Sequence, residues 1–334
     1  MVVEKLKKNM TLAETLSWGK AKLNTAKIQT CEREARWLLE FVIGNNKLVA
    51  EPDSLLTEKQ RKKYEELILR RAERYPLQYL LGEVEFAGAD IELTPDVLIP
   101  RPETELLVEH ILEIIKEKKT PVKCADLGTG SGCIAIAAVL EIRNSKIENR
   151  NKSEIRNSKS KNILLTPFKG GLNQKSKIKE HPPNPLQRGT KFFWFVCDKS
   201  ERALKLAKKN AKKNGVSDLV SFYLGNWFDA FPKDLKFDLI VTNPPYVRAE
   251  EKLEPELSYE PSTALFSGKD GLDDYRKIFA SLRSRLLPGG IFIGEFSSEQ
   301  EPELYKIAKQ TGLADIEFLT DLTGRKRLII LKML

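Results

Sequence analysis

Two kinds of hydrophobic spacing divide the chain. Up to about residue 80 the apolar positions recur every three or four residues. Ala35, Leu38, Leu39, Val42 and Ile43 form one stripe, and Tyr64, Leu67 and Ile68 form another, the spacing of amphipathic helices. Thr11 with Glu14, and Thr57 with Gln60, carry the pattern that closes free amide donors at a helix start. Gly44 supplies a stop, and Pro76 forbids continuation. A small all-helical domain is expected over 1–80. It contains no catalytic grouping, so its expected role is packing or partner recognition. Over 81–100 the pattern shortens to EVEFAGADIEL and VLIP, broken by Gly88 and Pro95; this predicts a β-hairpin linker. The run PRPETELLVEHILEIIKEK then reads as a helix with Pro102 near its start and Leu106, Leu107, Ile111 and Ile114 on one face.

Past residue 120 the spacing alternates. PVKCADLG, KFFWFVCD, LVSFYLGN, FDLIVTN and IFIGEF are compact apolar runs, and helical text such as CIAIAAVLE, ERALKLAKKNAKKNG and YRKIFASLRSRLL stands between them. IEFLTD and RLIILKML add a terminal pair of strands. Strands alternating with helices predict an α/β domain over 101–334 with a mainly parallel sheet.

Residues 141–190 break this rhythm. EIRNSK occurs twice, followed by polar, proline-containing text with little periodicity, so an insertion too poor in apolar surface to order itself is expected there. It lies between the first helix and second strand of the alternation, on the return path away from the strands' carboxyl ends where ligands bind in such sheets. Twelve basic and four acidic residues fall in it, which accounts for +8 of the chain's +9 net charge. The remainder is near neutral, so a nucleic-acid partner is not expected except through 141–190. No apolar run reaches membrane-spanning length, and the N-terminus lacks a secretory pattern; a cytoplasmic protein with no membrane partner is expected. Four cysteines without a CxxC and two histidines make neither a zinc site nor a His-centred triad, so no metal is expected.

The candidate chemistry lies at three strand ends. Asp126-Leu127-Gly128-Thr129-Gly130-Ser131-Gly132 follows the first strand and opens a helix. Its glycines permit a tight turn and the close approach of a ligand. Cys133 stands where the dinucleotide fingerprint wants glycine. Asp198 ends the second strand, about 20 residues on once the insertion is set aside, in position to accept from ribose hydroxyls. These two features fit NAD and S-adenosyl-L-methionine equally. Asn243-Pro244-Pro245-Tyr246 follows FDLIVT. Two prolines stiffen the backbone and remove its donors, so an Asn oxygen and a proline carbonyl can accept both hydrogens of a planar NH2 group beside an aromatic ring. An amino group on an sp2 carbon suits that site, and a methyl-sulfonium compound is the matching electrophile. A dehydrogenase leaves this motif unexplained.

The chain resembles the Asn-Pro-Pro-Tyr amino-methyltransferases, in particular the HemK/PrmC branch of protein-glutamine methyltransferases. The likeness runs through nearly everything outside 141–190: PLQYLLGEVEF, LIPRPETE, DLGTGSGCIAI, NPPY, YEPSTALFSGKDGL, and Asp321, Gly324 and Arg327. It implies a Rossmann-like class I methyltransferase domain behind the helical domain, with S-adenosyl-L-methionine as cofactor and S-adenosyl-L-homocysteine as product. It also implies peptide-chain release factors as partners, methylated on the glutamine of their Gly-Gly-Gln loop. Asp126 and Gly128 to Gly132 would bind the methionine part, Asp198 the ribose and Trp227 the adenine region. Asn243 and Pro244 would hold the glutamine amide beside Pro245 and Tyr246, with Asn243 also bordering the cofactor. The motif by itself also fits an adenine-amino methyltransferase acting on DNA or RNA, and the basic insertion fits a non-catalytic RNA-binding scaffold. Three features depart from the family pattern: Asn226 where an acidic residue is usual, Ser297 where E-x-G-x-x-Q has glycine, and the insertion itself.

Overall fold

The computed structural model describes residues 5–44, 51–118, 122–151 and 192–334. They form two compact units. One holds the described residues up to Gly82 together with Glu254–Tyr259, and the other holds the described residues of Glu83 to Leu253 and of Glu260–Leu334.

The first unit is helical: α1 (Leu12–Thr25), α2 (Cys31–Ile43), α3 (Glu58–Ala72) and the short α4 (Leu77–Leu81). Both capping boxes form, with Thr11 and Thr57 each accepting from the backbone three residues on. Gly44 caps α2 at a φ of +86°. The two predicted stripes meet: Ala35, Leu38 and Leu39 bury against Tyr64, Leu67 and Ile68. Inside this apolar cluster the Arg71 guanidinium is also buried. It pairs with Glu34 and Glu256, so the charge is taken out of water only with partners on two sides.

The second unit opens with a hairpin, β1 (Glu83–Phe86) and β2 (Ala89–Glu92). Val97 and Ile99 of VLIP are buried as coil rather than strand. α5 (Glu105–Glu117) follows, burying Leu107, Val108, Ile111 and Ile115. Leu106 and Ile114 are only half-buried, so the buried stripe is turned one position from the expected one. The remaining strands are β3 (Val122–Leu127), β4 (Phe192–Asp198), β5 (Val220–Leu224), β6 (Phe237–Thr242), β7 (Leu286–Glu295), β8 (Asp315–Thr320) and β9 (Lys326–Lys332). They make a seven-stranded sheet of order β5-β4-β3-β6-β7-β9-β8, in which only the pairs β7–β9 and β9–β8 are antiparallel. The mainly parallel Rossmann-like α/β architecture is therefore present.

The strands β3 and β6 are buried along nearly their whole length, as expected where helices cover both faces of a parallel sheet. The chain winds outward from β3 to β5 and then crosses back to β6, so β3 and β6 are neighbours with diverging connections. That switch point is where open α/β sheets leave a crevice at the strands' carboxyl ends.

α6 (Cys133–Asn151) runs into the first residues of the 141–190 stretch. Its start is buried on all sides through Ile134 to Val139, and Ile142 is buried one turn later. Residues 141–151 contain neither glycine nor proline, and extending a nucleated helix costs little. The rest of the 141–190 stretch, from 152 onward, lies outside the described residues. The other helices of this unit are α7 (Glu201–Lys213), the short α8 (Ser262–Leu265), α9 (Asp273–Arg285) and α10 (Glu301–Lys309).

Candidate active site

The glycine loop is pinned from several directions. Gly128, Gly130 and Gly132 have φ of +71°, +54° and +82°. Gly128 must also be bare, because a Cβ there would come within 3.0 Å of the Trp227 ring. The Thr129 amide donates to the Cys197 carbonyl at 2.9 Å, and its hydroxyl donates to Asp126 Oδ2 at 2.6 Å. The Gly130 amide donates to Asp198 Oδ2 at 2.9 Å. Asn210 of α7 donates to the carbonyls of Ser131 and Glu92 and accepts from the Glu92 amide, tying the loop to the hairpin.

Two carboxyls stand under and beside this loop. Asp126 is fully buried and its Oδ1 has no partner among the described residues. Burial pushes its pKa up to about 7; the Thr129 hydroxyl opposes the shift and the Asp198 charge adds to it. Asp198 is also pushed above the usual range by burial, against the pull of the Ser200 and Gly130 amides.

The Asn-Pro-Pro-Tyr corner begins directly after Thr242, whose hydroxyl donates across to the Leu127 carbonyl at 2.8 Å. This bond ties the two strand ends together. Asn243 Nδ2 donates to Thr104 Oγ1 at 3.1 Å. Thr104 donates to Glu295 Oε2 at 2.7 Å, and the Tyr246 hydroxyl donates to Glu295 Oε1 at 3.3 Å. Glu295 is only 2% exposed. Burial raises its pKa, while Thr104, Tyr246 and Arg327 pull the other way. Asn243 Oδ1 is buried without a hydrogen-bond partner among the described residues. Gln300 fixes the far side of the corner by donating to the carbonyls of Tyr246 and Asp270 at 2.9 Å each. The bare Gly271 makes room for this, since a Cβ there would meet Gln300 and the Tyr246 carbonyl at 2.2 Å.

Between loop and corner lies a cavity open to solvent. Gly128, Thr129, Gly130, Ser131, Asp198, Trp227, Asn243 and Pro245 line it. Asp126, Gly132, Pro244 and Tyr246 are not among the lining residues. Trp227 holds a strained φ of +47° and directs its ring Nε1 to Asp274 at 3.3 Å. Asn226 lines the wall beside it and makes no capping bond to the turn that follows. Ser297 precedes the turn at Ser298–Gln300 at an ordinary φ of −78°, with its amide donating to Gln300 Oε1 at 3.3 Å, so the position needs no glycine.

Thr104, Glu295, Asn210 and Arg101 had no assigned role in the sequence, although LIPRPETE contains two of them. Arg101 lines the cavity and pairs with the buried Glu260. Periodicity cannot signal such partners, because Thr104 and Glu295 are 191 residues apart. Among the described residues no cluster of His, Cys, Asp and Glu could hold a metal, and no helix is long and apolar enough to cross a membrane.

Two family models match the chain. One is the PrmC N-terminal domain over residues 14–82, and the other is an RMKL-like methyltransferase domain over residues 127–256. A release factor glutamine methyltransferase of Thermodesulfovibrio yellowstonii is 34% identical, the match covering 90% of this chain and 92% of the relative. A protein of the same name from Coxiella burnetii is 31% identical over the same shares. Among solved structures, a ribosomal protein L11 methylase from Lactobacillus delbrueckii subsp. bulgaricus has a TM-score of 0.40 and 20% identity over 70% of this chain and 81% of its own, a likeness too distant to bear on function. On the strength of the near full-length relatives, the chain belongs to the release factor glutamine methyltransferase family.

Proposed function

We propose that this protein transfers the methyl group of S-adenosyl-L-methionine to the side-chain amide nitrogen of the glutamine in the Gly-Gly-Gln loop of peptide-chain release factors, and does so in the cytoplasm where translation ends. One observation carries this reading: Asn243 Oδ1 is a buried acceptor without a partner, on a residue at the cavity wall. Such an atom is costly to leave unpaired. An incoming NH2 group would satisfy it, and the Pro244 carbonyl is suited to accept the second hydrogen.

The residues facing Asn243 suit the proposed cofactor. A loop with three positive-φ glycines, one of them bare against the Trp227 ring, leaves room for a flat or elongated ligand, and Asp198 offers carboxylate oxygens at the wall. Gly128 to Gly132 would hold its methionine part with Asp126 underneath, Asp198 would accept from the ribose, and Trp227 would lie by the adenine. When bound, S-adenosyl-L-methionine supplies an electrophilic methyl group.

The chain's part is to prepare the nucleophile. An amide nitrogen is weakly nucleophilic because its lone pair is shared with the carbonyl. Acceptors aimed at both N–H bonds orient that lone pair and stabilise positive charge as it develops. Holding the glutamine in line contributes roughly 7–11 kcal/mol in favourable cases. The methylated nitrogen is a strong acid, so its proton leaves to water without a dedicated base.

The test supplies labelled cofactor with three acceptors: a release factor, its Gly-Gly-Ala variant, and nucleic acid. Label on the intact factor and not on the variant supports the proposal. Label on nucleic acid alone refutes it in favour of a base-modifying enzyme.

A further inference from the structure

A carboxamide is nearly symmetric in shape and opposite in chemistry at its two ends. Turned one way, Asn243 offers the cavity an acceptor; turned the other way, it offers donors. Only the first can receive an incoming NH2 group. Something must therefore choose between two orientations of almost equal volume.

The choice is made by the hydrogen-bond neighbours of Asn243. Asn243 Nδ2 lies 3.1 Å from Thr104 Oγ1, and that oxygen lies 2.7 Å from Glu295 Oε2. Thr104 donates its single O–H proton to Glu295 Oε2, a direction that suits a carboxylate, which only accepts. Its oxygen is then left with lone pairs alone, and Asn243 must present Nδ2 to it. Oδ1 is thereby turned away from Thr104, and it is the atom left buried without a partner. Glu295 is itself held in place. Its other oxygen accepts from the Tyr246 hydroxyl, and its main-chain carbonyl accepts from Tyr275 at 2.6 Å.

We propose that Thr104 and Glu295 are positioning residues that fix the orientation of the Asn243 carboxamide, so that Oδ1 faces the amide to be methylated. The proposal rests on the reading of Asn243 given above. It assigns a purpose to the threonine of LIPRPETE, which lines the cavity, and to a buried acid that does not line it but accepts from that threonine.

Polarity runs along this chain, so protonating its far end reverses it. A neutral Glu295 would donate to Thr104 Oγ1. The Thr104 hydroxyl would then donate to Asn243, drawing Oδ1 away from the substrate. The groups facing Glu295 are Glu103 from the turn before α5, Arg327 from β9, Tyr246 after β6, Tyr275 from α9 and Cys133 at the start of α6. Burial and Glu103 favour the proton, whereas Arg327 and the two hydroxyl donors oppose it. Methyl transfer should therefore have an acid limb that passes through Thr104.

The experiment measures kcat, KM for the release factor, cofactor Kd and Tm for the full-length protein and for T104V and T104S, with kcat followed from acid to neutral pH. Valine keeps the shape and removes the hydroxyl. T104V should lower kcat about tenfold or more, leave cofactor Kd within about twofold, and flatten the acid limb; T104S should restore both rate and limb. An unchanged kcat in T104V overturns the proposal. So does a T104S as slow as T104V, or a loss of rate that only follows a loss of Tm. A wild-type protein that binds cofactor and leaves the release factor unlabelled removes the reading of Asn243, and this inference with it. Labelling by wild type and T104V alike removes the inference alone.

Discussion

The glycine loop and the Asn-Pro-Pro-Tyr corner face one cavity and are built on opposite principles. The loop is shaped by backbone: three residues at positive φ, one position where a single carbon would strike Trp227, and amides and carbonyls closing on one another. The corner is shaped by side chains that converge from 139 and 191 residues apart in sequence. A loop set by dihedrals accepts a ligand's shape. A corner set by donors and acceptors reads its chemistry. We take this as the division of labour between holding the cofactor and selecting the amide.

Substitutions should separate the two halves. The largest effect is expected for Asn243→Ala, which removes the unfilled acceptor. Methyl transfer should fall on the order of 10²–10³-fold, the scale for losing one transition-state partner, while calorimetric cofactor affinity stays within a few-fold. Equal losses in both would end the distinction.

Asp126 comes next, on the loop side. With its pKa pushed up to about 7, the folded protein keeps a proton between about pH 4 and 7 that the unfolded chain has lost. Stability should therefore fall as pH rises through that window. Asp126→Asn should flatten this slope, worth on the order of 2–4 kcal/mol across it. Denaturant titrations at both ends of the window check this, and a parallel slope in the variant would show that the carboxyl is not the source.

Gly128→Ala should weaken cofactor binding about tenfold and cost about 1–3 kcal/mol of stability, because the new carbon meets both a positive φ and the Trp227 ring. The rate at saturating cofactor should change less than the affinity. The smallest effect belongs to Tyr246→Phe. Its hydroxyl bond to Glu295 is long, 3.3 Å, so less than about 1 kcal/mol should be lost, seen as a few-fold change in kcat. A collapse of activity in this variant would move Tyr246 from support into the chemistry itself.

Local signals carried much of the fold. Capping boxes at Thr11 and Thr57, the helix-stopping Gly44, and the apolar runs of β3, β4 and β6 depend on neighbours a few residues away, and these elements formed where the pattern put them. β7, in contrast, starts five residues earlier than its apolar run IFIGEF, at Leu286. The buried stripe of α5 is turned by one position: Val108 and Ile115 are buried, whereas Leu106 and Ile114 are only half-buried. α6 runs on past 141 because 141–151 holds no glycine or proline to stop it, and extending a nucleated helix costs little.

The chain's own text was enough to determine the strand–helix alternation, the glycine turn with Asp198 about 20 residues on, and the Asn-Pro-Pro-Tyr corner after β6, since each is written in consecutive residues or in one repeat length. Tertiary structure alone decided which of those residues line the cavity and which do not. It placed Thr104 between Asn243 and Glu295, set Asn210 under the loop, and raised Asp126 toward neutrality by burying it. Hydrogen-bond direction and desolvation belong to atoms brought together in space, and three groups from distant parts of a chain acquire both only when the sheet has closed around them.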